Sequence, residues 1–207
     1  MGVRRRRRRA APADRSEGDG GGDERSRRAG ERRALERQAA VDSLTGLVTR
    51  RVLDDALASA LSASASDPGT ALVLVDVDRF ESINDGHGHP VGDDALVHLA
   101  RVLTRTVRAG DAVVSRLGGD ELAPLIPGCS AEVAARRAQD LVAAVREAPL
   151  PLPDGTLLPL TVSVGVAHAP DHAVGLRGLY AAADAALYEA KRGGRDGYAF
   201  AATPAAA

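Results

Sequence analysis

Apolar positions recur at helical spacing in four stretches of the chain. From about Thr49, the residues Val52, Leu53, Ala56, Leu57, Ala60 and Leu61 fall on one face of a helix. The same period returns from Val91, through Ala95, Leu96, Leu99, Val102 and Leu103. It recurs over Ala131 to Arg146, with Val133, Ala134, Leu141, Val142 and Val145 inward, and over Leu176 to Lys191, with Leu179, Tyr180, Ala183, Leu187 and Ala190. Between them ALVLVDVD, residues 71–78, is an unbroken apolar run ending in acids, which predicts a buried strand with Asp76 at its C-terminal end. Ala112 to Arg116 and Glu121 to Ile126 flank Gly118-Gly119 and predict a hairpin with a glycine turn. LTVSVGVA, residues 160–167, alternates as a half-buried strand does, and Tyr198 to Ala201 reads as a last short strand. Ser62 to Thr70 and the Gly/His/Asn-rich segment Asn84 to Pro90 read as loops. The order helix, strand, helix, hairpin, helix, strand, helix, strand predicts an α+β sheet with helices packed on it.

The flanks of this pattern differ from its middle. Residues 1–28 are Arg, Gly, Asp and Ser with almost nothing to bury, and read as a disordered basic arm. Residues 29–41, AGERRALERQAAV, are strong helix formers and read as a helical linker; residues 202–207 read as a disordered tail. The domain proper is expected over residues 42–201. The net charge of -1 conceals the asymmetry, because the first 40 residues carry 13 Arg against 7 acids. A basic arm joins an acidic globule. The run Arg4 to Arg9 is followed by no apolar stretch, unlike a secretory leader, and reads as a solvated tail or an anion contact. No apolar run is long enough to span a bilayer. The single cysteine, Cys129, excludes an intrachain disulfide and a paired-cysteine zinc site and suits a reducing compartment, so a cytoplasmic location is expected. With two Phe, three Tyr and no Trp, platforms for stacking bases are lacking, and nucleic acid is not an expected partner.

Candidate chemistry gathers at two chain positions that a sheet could bring together. Asp76 and Asp78 end the first strand, and Asp120 and Glu121 sit at the hairpin tip. Mg²⁺ is commonly held by one or two carboxylates together with substrate phosphates, and these acids read either as such a site or as solvated turn residues. Lys191 and Arg195, four apart, could meet a triphosphate as a point charge and a planar fork, or could simply suit a helix C-terminus. His87 and His89, two residues apart in the Gly-rich segment, read as turn hydrogen-bonders rather than metal ligands.

Taken in order, these segments resemble the GGDEF domain of the diguanylate cyclase family. DSLTGLVTRR, residues 42–51, resembles the opening motif D-x-L-T-G-L-x-N-R-R. DVDRFESINDGHGHPVGDDAL resembles D-I-D-x-F-K-x-I-N-D-x-x-G-H-x-x-G-D-x-x-L, and RLGGDEL resembles R-x-G-G-D-E-F. TVSVGVA and ADAALYEAKRGGRDG match the closing strand and the A-D-x-A-L-Y-x-A-K-x-x-G-R-N signature. The resemblance covers about residues 42 to 200. It implies a central, mostly antiparallel sheet flanked by helices, similar to nucleotidyl cyclase and polymerase palm domains. It also implies condensation of two GTP into cyclic di-GMP with release of pyrophosphate, in bacterial second-messenger signalling. By position, Asp76, the Val77 carbonyl, Asp120 and Glu121 would hold Mg²⁺, with Mn²⁺ as the substitute ion. Asp120 or Glu121 would take the proton from the attacking hydroxyl. Asn84 and Asp93 would read guanine, and Lys191 and Arg195 would bind the terminal phosphates. Since one protomer holds one GTP, the family chemistry implies a homodimer.

Three departures from the pattern bear on function. Glu81 stands where the family has Lys after the Phe, placing an anion where a phosphate-binding cation is expected. Leu122 replaces the final Phe of the signature, and Asp196 replaces the Asn of G-R-N. The Arg-x-x-Asp pair of the product-inhibition site corresponds to Arg108 and Asp111, with six residues to the signature where the family has five. The alternative function is a degenerate domain that binds GTP or cyclic di-GMP as a sensor or scaffold.

Overall fold

The computed structural model describes residues 40–62, 68–107 and 112–203. The basic arm, most of the linker, the Arg108/Asp111 pair and residues 204–207 lie outside the described residues. Of the expected helical linker, Ala40 and Val41 are described; they form a turn and an antiparallel bridge to Val48.

Eight strands and five helices follow in order among the described residues: β1 (Val48–Thr49), α1 (Arg50–Leu61), β2 (Thr70–Val77), α2 (Phe80–His87), α3 (His89–Thr106), β3 (Val113–Gly118), β4 (Glu121–Pro127), α4 (Ala131–Arg146), β5 (Leu150–Pro151), β6 (Leu157–Leu158), β7 (Val162–Ala169), α5 (Leu176–Arg192) and β8 (Gly197–Phe200). Six strands form one sheet in the order β1-β3-β4-β2-β7-β8. The central pairings β3·β4, β4·β2 and β2·β7 are antiparallel; the outer pairs β1·β3 and β7·β8 are parallel.

Period-two alternation along the central strands divides the core. Ala71, Val73, Val75 and Val77 of β2 pack with Leu96, Leu99 and Leu103 of α3 and Leu141 and Val145 of α4. Leu72 and Leu74 point to the other face, against Leu53 and Leu57 of α1 and Leu179, Ala183 and Leu187 of α5. Every residue of β2 is buried, as an apolar run sealed by helices on both sides requires. Gly165 brings α5 unusually near β7, because a Cβ there would overlap the backbone of Ala183 and Leu187. That close seat fixes where the C-terminal end of α5 emerges beside the strand ends.

Two expectations are corrected. The strand read as half-buried over residues 160–167 is β7, buried along its whole length between helices on both faces. Asn84 to Pro90, read as a loop, is helical up to His87; Gly88 turns the corner at φ 84°, and α3 begins at His89. The Gly88 N–H donates to the Asn84 carbonyl at 2.8 Å, and Pro90 falls in the first turn of α3, where its missing N–H costs nothing. Polar, glycine-rich composition disfavours a free helix, but burial of Ile83 and packing of Phe80 on the core supply what propensity lacks. The two-residue strands β1, β5 and β6 are too short to leave a periodic signal.

Candidate active site

The site forms where the C-terminal end of β2 meets the β3–β4 hairpin. In the β2·β4 register Asp76 stands opposite Glu121, and in the β2·β7 register opposite Ser163. Gly118 and Gly119 make the hairpin turn at φ 150° and 53°, a backbone path that favours glycine and delivers Asp120 beside this pair. Arg116 braces the turn: it donates through Nε and Nη2 to the Gly119 carbonyl at 3.0 and 2.8 Å, and through Nη1 to Asp42 at 3.2 Å. Asp42 also accepts from the Thr45 amide and hydroxyl. Burial acts upward on the Asp42 carboxyl, but these bonds hold it below the usual carboxylate range. The opening motif is thus fastened to the signature hairpin.

Lys191, in the last turn of α5, reaches Asp76 with Nζ 2.7 Å from Oδ2. Burial pushes the Asp76 carboxyl upward, the Lys191 hydrogen bond and charge oppose this, and the charges of Asp120 and Asp78 add to it; the net direction is up. Glu121 is also raised, first by burial and then by the charge of Asp76, with Asp120 and Asp184 contributing. Asp76 thus acts on Glu121, and Asp120 on both, so negative charge accumulates here and favours a cation. The Lys191 ammonium stands in for one at Asp76. Among the described residues no three His, Cys, Asp or Glu side chains converge as a ready-made cage. Mg²⁺ does not require a cage, since it keeps waters and shares carboxylates with phosphates, and the donor set fits it. Val77 has its side chain sealed in the core, leaving only its backbone to serve a ligand.

The remaining expected residues fall into three places. Asn84 on α2 and Asp93 on α3 lie on either side of the Gly88 corner, and the Asn84 Oδ1 rests so close to Gly92 that no Cβ would fit there. The two residues expected to read guanine thus sit at one helix–helix corner, Asn84 abutting Gly92, the neighbour of Asp93. Lys191 lines a cleft of about 350 Å³ with Glu121, Asp184 and Tyr188. Arg195 is not in that cleft; it lines a second cavity of about 440 Å³ with Asp78, Arg79 and Ser82. Arg108 and Asp111 lie outside the described residues.

Sequence reasoning gave Asp78 no role beyond that of a candidate acid, and gave none to Asp184 or Tyr188. Asp78 is buried and accepts from the Thr161 hydroxyl (2.8 Å), the Ser163 hydroxyl (2.6 Å) and the Asp196 amide (2.9 Å), so it anchors the loop that carries Arg195. Asp184 and Tyr188 precede Lys191 by seven and three residues, a spacing that places all three on one helix face and could have revealed them.

Comparison with known proteins agrees with this geometry. Residues 39–197 match the family described as diguanylate cyclase, GGDEF domain. Diguanylate cyclase TpbB of Pseudomonas aeruginosa is 39% identical over 166 residues, covering 80% of this chain and 38% of TpbB. The uncharacterized protein YhcK of Bacillus subtilis is 38% identical over 165 residues, covering 79% of this chain and 46% of YhcK. The chain thus spans less than half the length of these curated relatives. Among solved structures, the TpbB (YfiN) GGDEF domain from P. aeruginosa aligns with a TM-score of 0.74 at 36% identity, covering 78% of this chain and 94% of that one. The coiled coil and GGDEF domain of DgcB from Caulobacter crescentus, in complex with c-di-GMP, aligns with a TM-score of 0.74 at 31% identity, covering 86% of this chain and 94% of that one. With the mixed sheet, the glycine hairpin and its acids all in register with the matched motifs, this chain belongs to the GGDEF family of diguanylate cyclase domains.

Proposed function

We propose that this chain condenses two GTP molecules into cyclic di-GMP, releasing two pyrophosphates, with Mg²⁺ or Mn²⁺ as cofactor. The observation that carries the reading is the pairing of Asp76 with Glu121 across the β2·β4 ladder, with Asp120 in the adjoining turn. Asp76, the Val77 carbonyl, Asp120 and Glu121 would hold the metal. When bound, such an ion lowers the pKa of an attacking hydroxyl and offsets charge on the phosphate under attack and on the leaving pyrophosphate.

The chain's own residues do the rest. Asn84 and Asp93 hold the guanine edge, where a carboxylate accepts from two ring-edge donors that adenine does not present. Lys191 exchanges Asp76 for a substrate phosphate, and Arg195 takes a terminal phosphate through its planar fork. Glu121, with its carboxyl raised, or Asp120 accepts the proton from the 3′-hydroxyl. A single site presents one GTP, so two copies of the chain must face each other as a homodimer for each hydroxyl to reach the partner's α-phosphate.

A second reading, nucleotide binding without turnover, is favoured by one observation: Glu81 is exposed in the first turn of α2, placing an anion near the strand end that carries Asp76. Incubating the purified chain with GTP and Mg²⁺, and following cyclic di-GMP and pyrophosphate, separates the two. Product at a two-to-one stoichiometry from GTP supports the cyclase; tight GTP binding with no product supports the alternative.

A further inference from the structure

The cavity beneath the Arg195 loop holds two guanidinium groups, and sequence analysis gave a role to only one. Arg79 and Arg195 line it together with Asp78, Ser82, Thr161 and Asp196. Both arginines are exposed, and neither guanidinium has a hydrogen-bond or ion-pair partner among the described residues. The cavity's acids, by contrast, are committed. Asp78 accepts three hydrogen bonds, from Thr161, Ser163 and the Asp196 amide. Asp196 is held by Arg146, whose Nε lies 3.0 and 3.3 Å from the two carboxylate oxygens and whose Nη2 donates to the Asp196 carbonyl at 3.2 Å. Two guanidinium groups therefore outnumber the one carboxylate in the hollow that lacks an ion pair, Asp78, and share it with the hydroxyls of Ser82 and Thr161.

Backbone conformation aims both groups. Arg79 caps α2 at φ 57°, ψ 36°, and Arg195 and Asp196 have φ 64° and 45°. Non-glycine residues in this region are uncommon and are kept there by their surroundings. At Asp196 the surroundings are Arg146 and Asp78; at Arg79 they are the junction between β2 and α2.

We propose that Arg79 is a second phosphate-binding arginine, paired with Arg195, and that it supplies the positive charge missing at position 81. This rests on the reading of Arg195 as a phosphate ligand. The chemistry recognised is a polyphosphate chain: planar guanidinium forks match phosphate oxygens in two-point contacts, and two forks in one hollow suit adjacent phosphates.

Arg79→Asn is the decisive variant, because asparagine tolerates the left-handed backbone and removes the charge without straining the turn. GTP and inorganic tripolyphosphate are titrated by calorimetry at low and high salt, with thermal melting as the control for folding. Arg79→Asn takes away a charge-assisted hydrogen bond to phosphate, and so lowers both affinities by about tenfold, equal to about 1.4 kcal/mol. The effect shrinks at high salt. Arg79→Lys, which keeps the charge but loses the planar fork, falls between the parent and Arg79→Asn. Adding Glu81→Lys to Arg79→Asn restores the affinity. If Arg195→Ala weakens tripolyphosphate and Arg79→Asn does not, the proposal falls while the phosphate site stands. If Arg195→Ala leaves both affinities unchanged, the phosphate reading falls and takes the proposal with it.

Discussion

The β2·β7 ladder buries polar groups at both of its ends and treats them in opposite ways. At the end where Thr70 pairs with Ala169, His168 is 2% exposed, with Nε2 2.7 Å from the Cys129 carbonyl and Nδ1 2.9 Å from Asp171 Oδ2. Its backbone N–H donates to His172 Nδ1 at 3.0 Å, and Gly69 lies so close that a Cβ would overlap the ring. This end is closed. At the other end, Lys191 bonds Asp76 and its charge reaches Glu121, and burial together with neighbouring carboxylates raises both Asp76 and Glu121. A buried ring wedged between backbone groups holds a fold together, whereas carboxylates left short of positive charge are poised for a ligand. The same two strands thus carry a structural end and the end to which we assign the chemistry.

Substitutions at the two ends should separate stability from activity. The largest effect is expected from Asp120→Asn: at least a hundredfold loss of cyclic di-GMP synthesis, since electrostatic stabilisation of developing charge is lost, with an unchanged melting temperature. Retained turnover in a folded Asp120→Asn protein would show that the open end is not the chemical one. Asp93→Ala should lower the preference for GTP over ATP by about tenfold or more, because a site built on paired polar edges discriminates through the groups a wrong base leaves unpaired. An unchanged preference, measured by competition between the two nucleotides, would remove Asp93 from guanine recognition.

His168→Leu works at the closed end. It should cost about 1–3 kcal/mol by removing the imidazole hydrogen bond to the Cys129 carbonyl, read from urea unfolding, while turnover per folded molecule stays at the parent value. The smallest effect carries a sign. The Asp76 carboxyl is raised on folding, so the folded state binds its proton more tightly than the unfolded state. Its contribution to stability is then present at low pH and lost as pH rises through the raised value. Asp76→Asn removes that loss, so its melting temperature should exceed the parent's near neutrality and converge with it in acid. A melting-temperature difference that grows as pH falls would reverse the assignment.

The central elements were legible in sequence because each buries a periodic face. β2 reads as a continuous apolar run, and Ala131–Arg146 is a helix over the residues its stripe predicts. The α2 segment was not legible, since its stability comes from Ile83 and Phe80 meeting a core that sequence alone does not display. In the site, the carboxylates and Lys191 were legible through their motifs. Their division between two cavities was not: Arg195 follows Lys191 by four residues, but the glycines after α5 and the left-handed backbone at Arg195 turn it away from the Lys191 cleft. Arg79 offered itself only as a partner for Glu81, because an arginine at a strand end has no ligand signature until the fold shows what shares its cavity.

The central claim, that the open end of the ladder performs cyclic di-GMP synthesis, is tested most directly by one assay. The purified chain is incubated with GTP and Mg²⁺, and nucleotides are separated and identified by mass. Cyclic di-GMP accumulating with two pyrophosphates per product, and stopping when the metal is chelated, is the predicted result. GTP remaining intact over many hours with a folded protein that binds it would contradict the account.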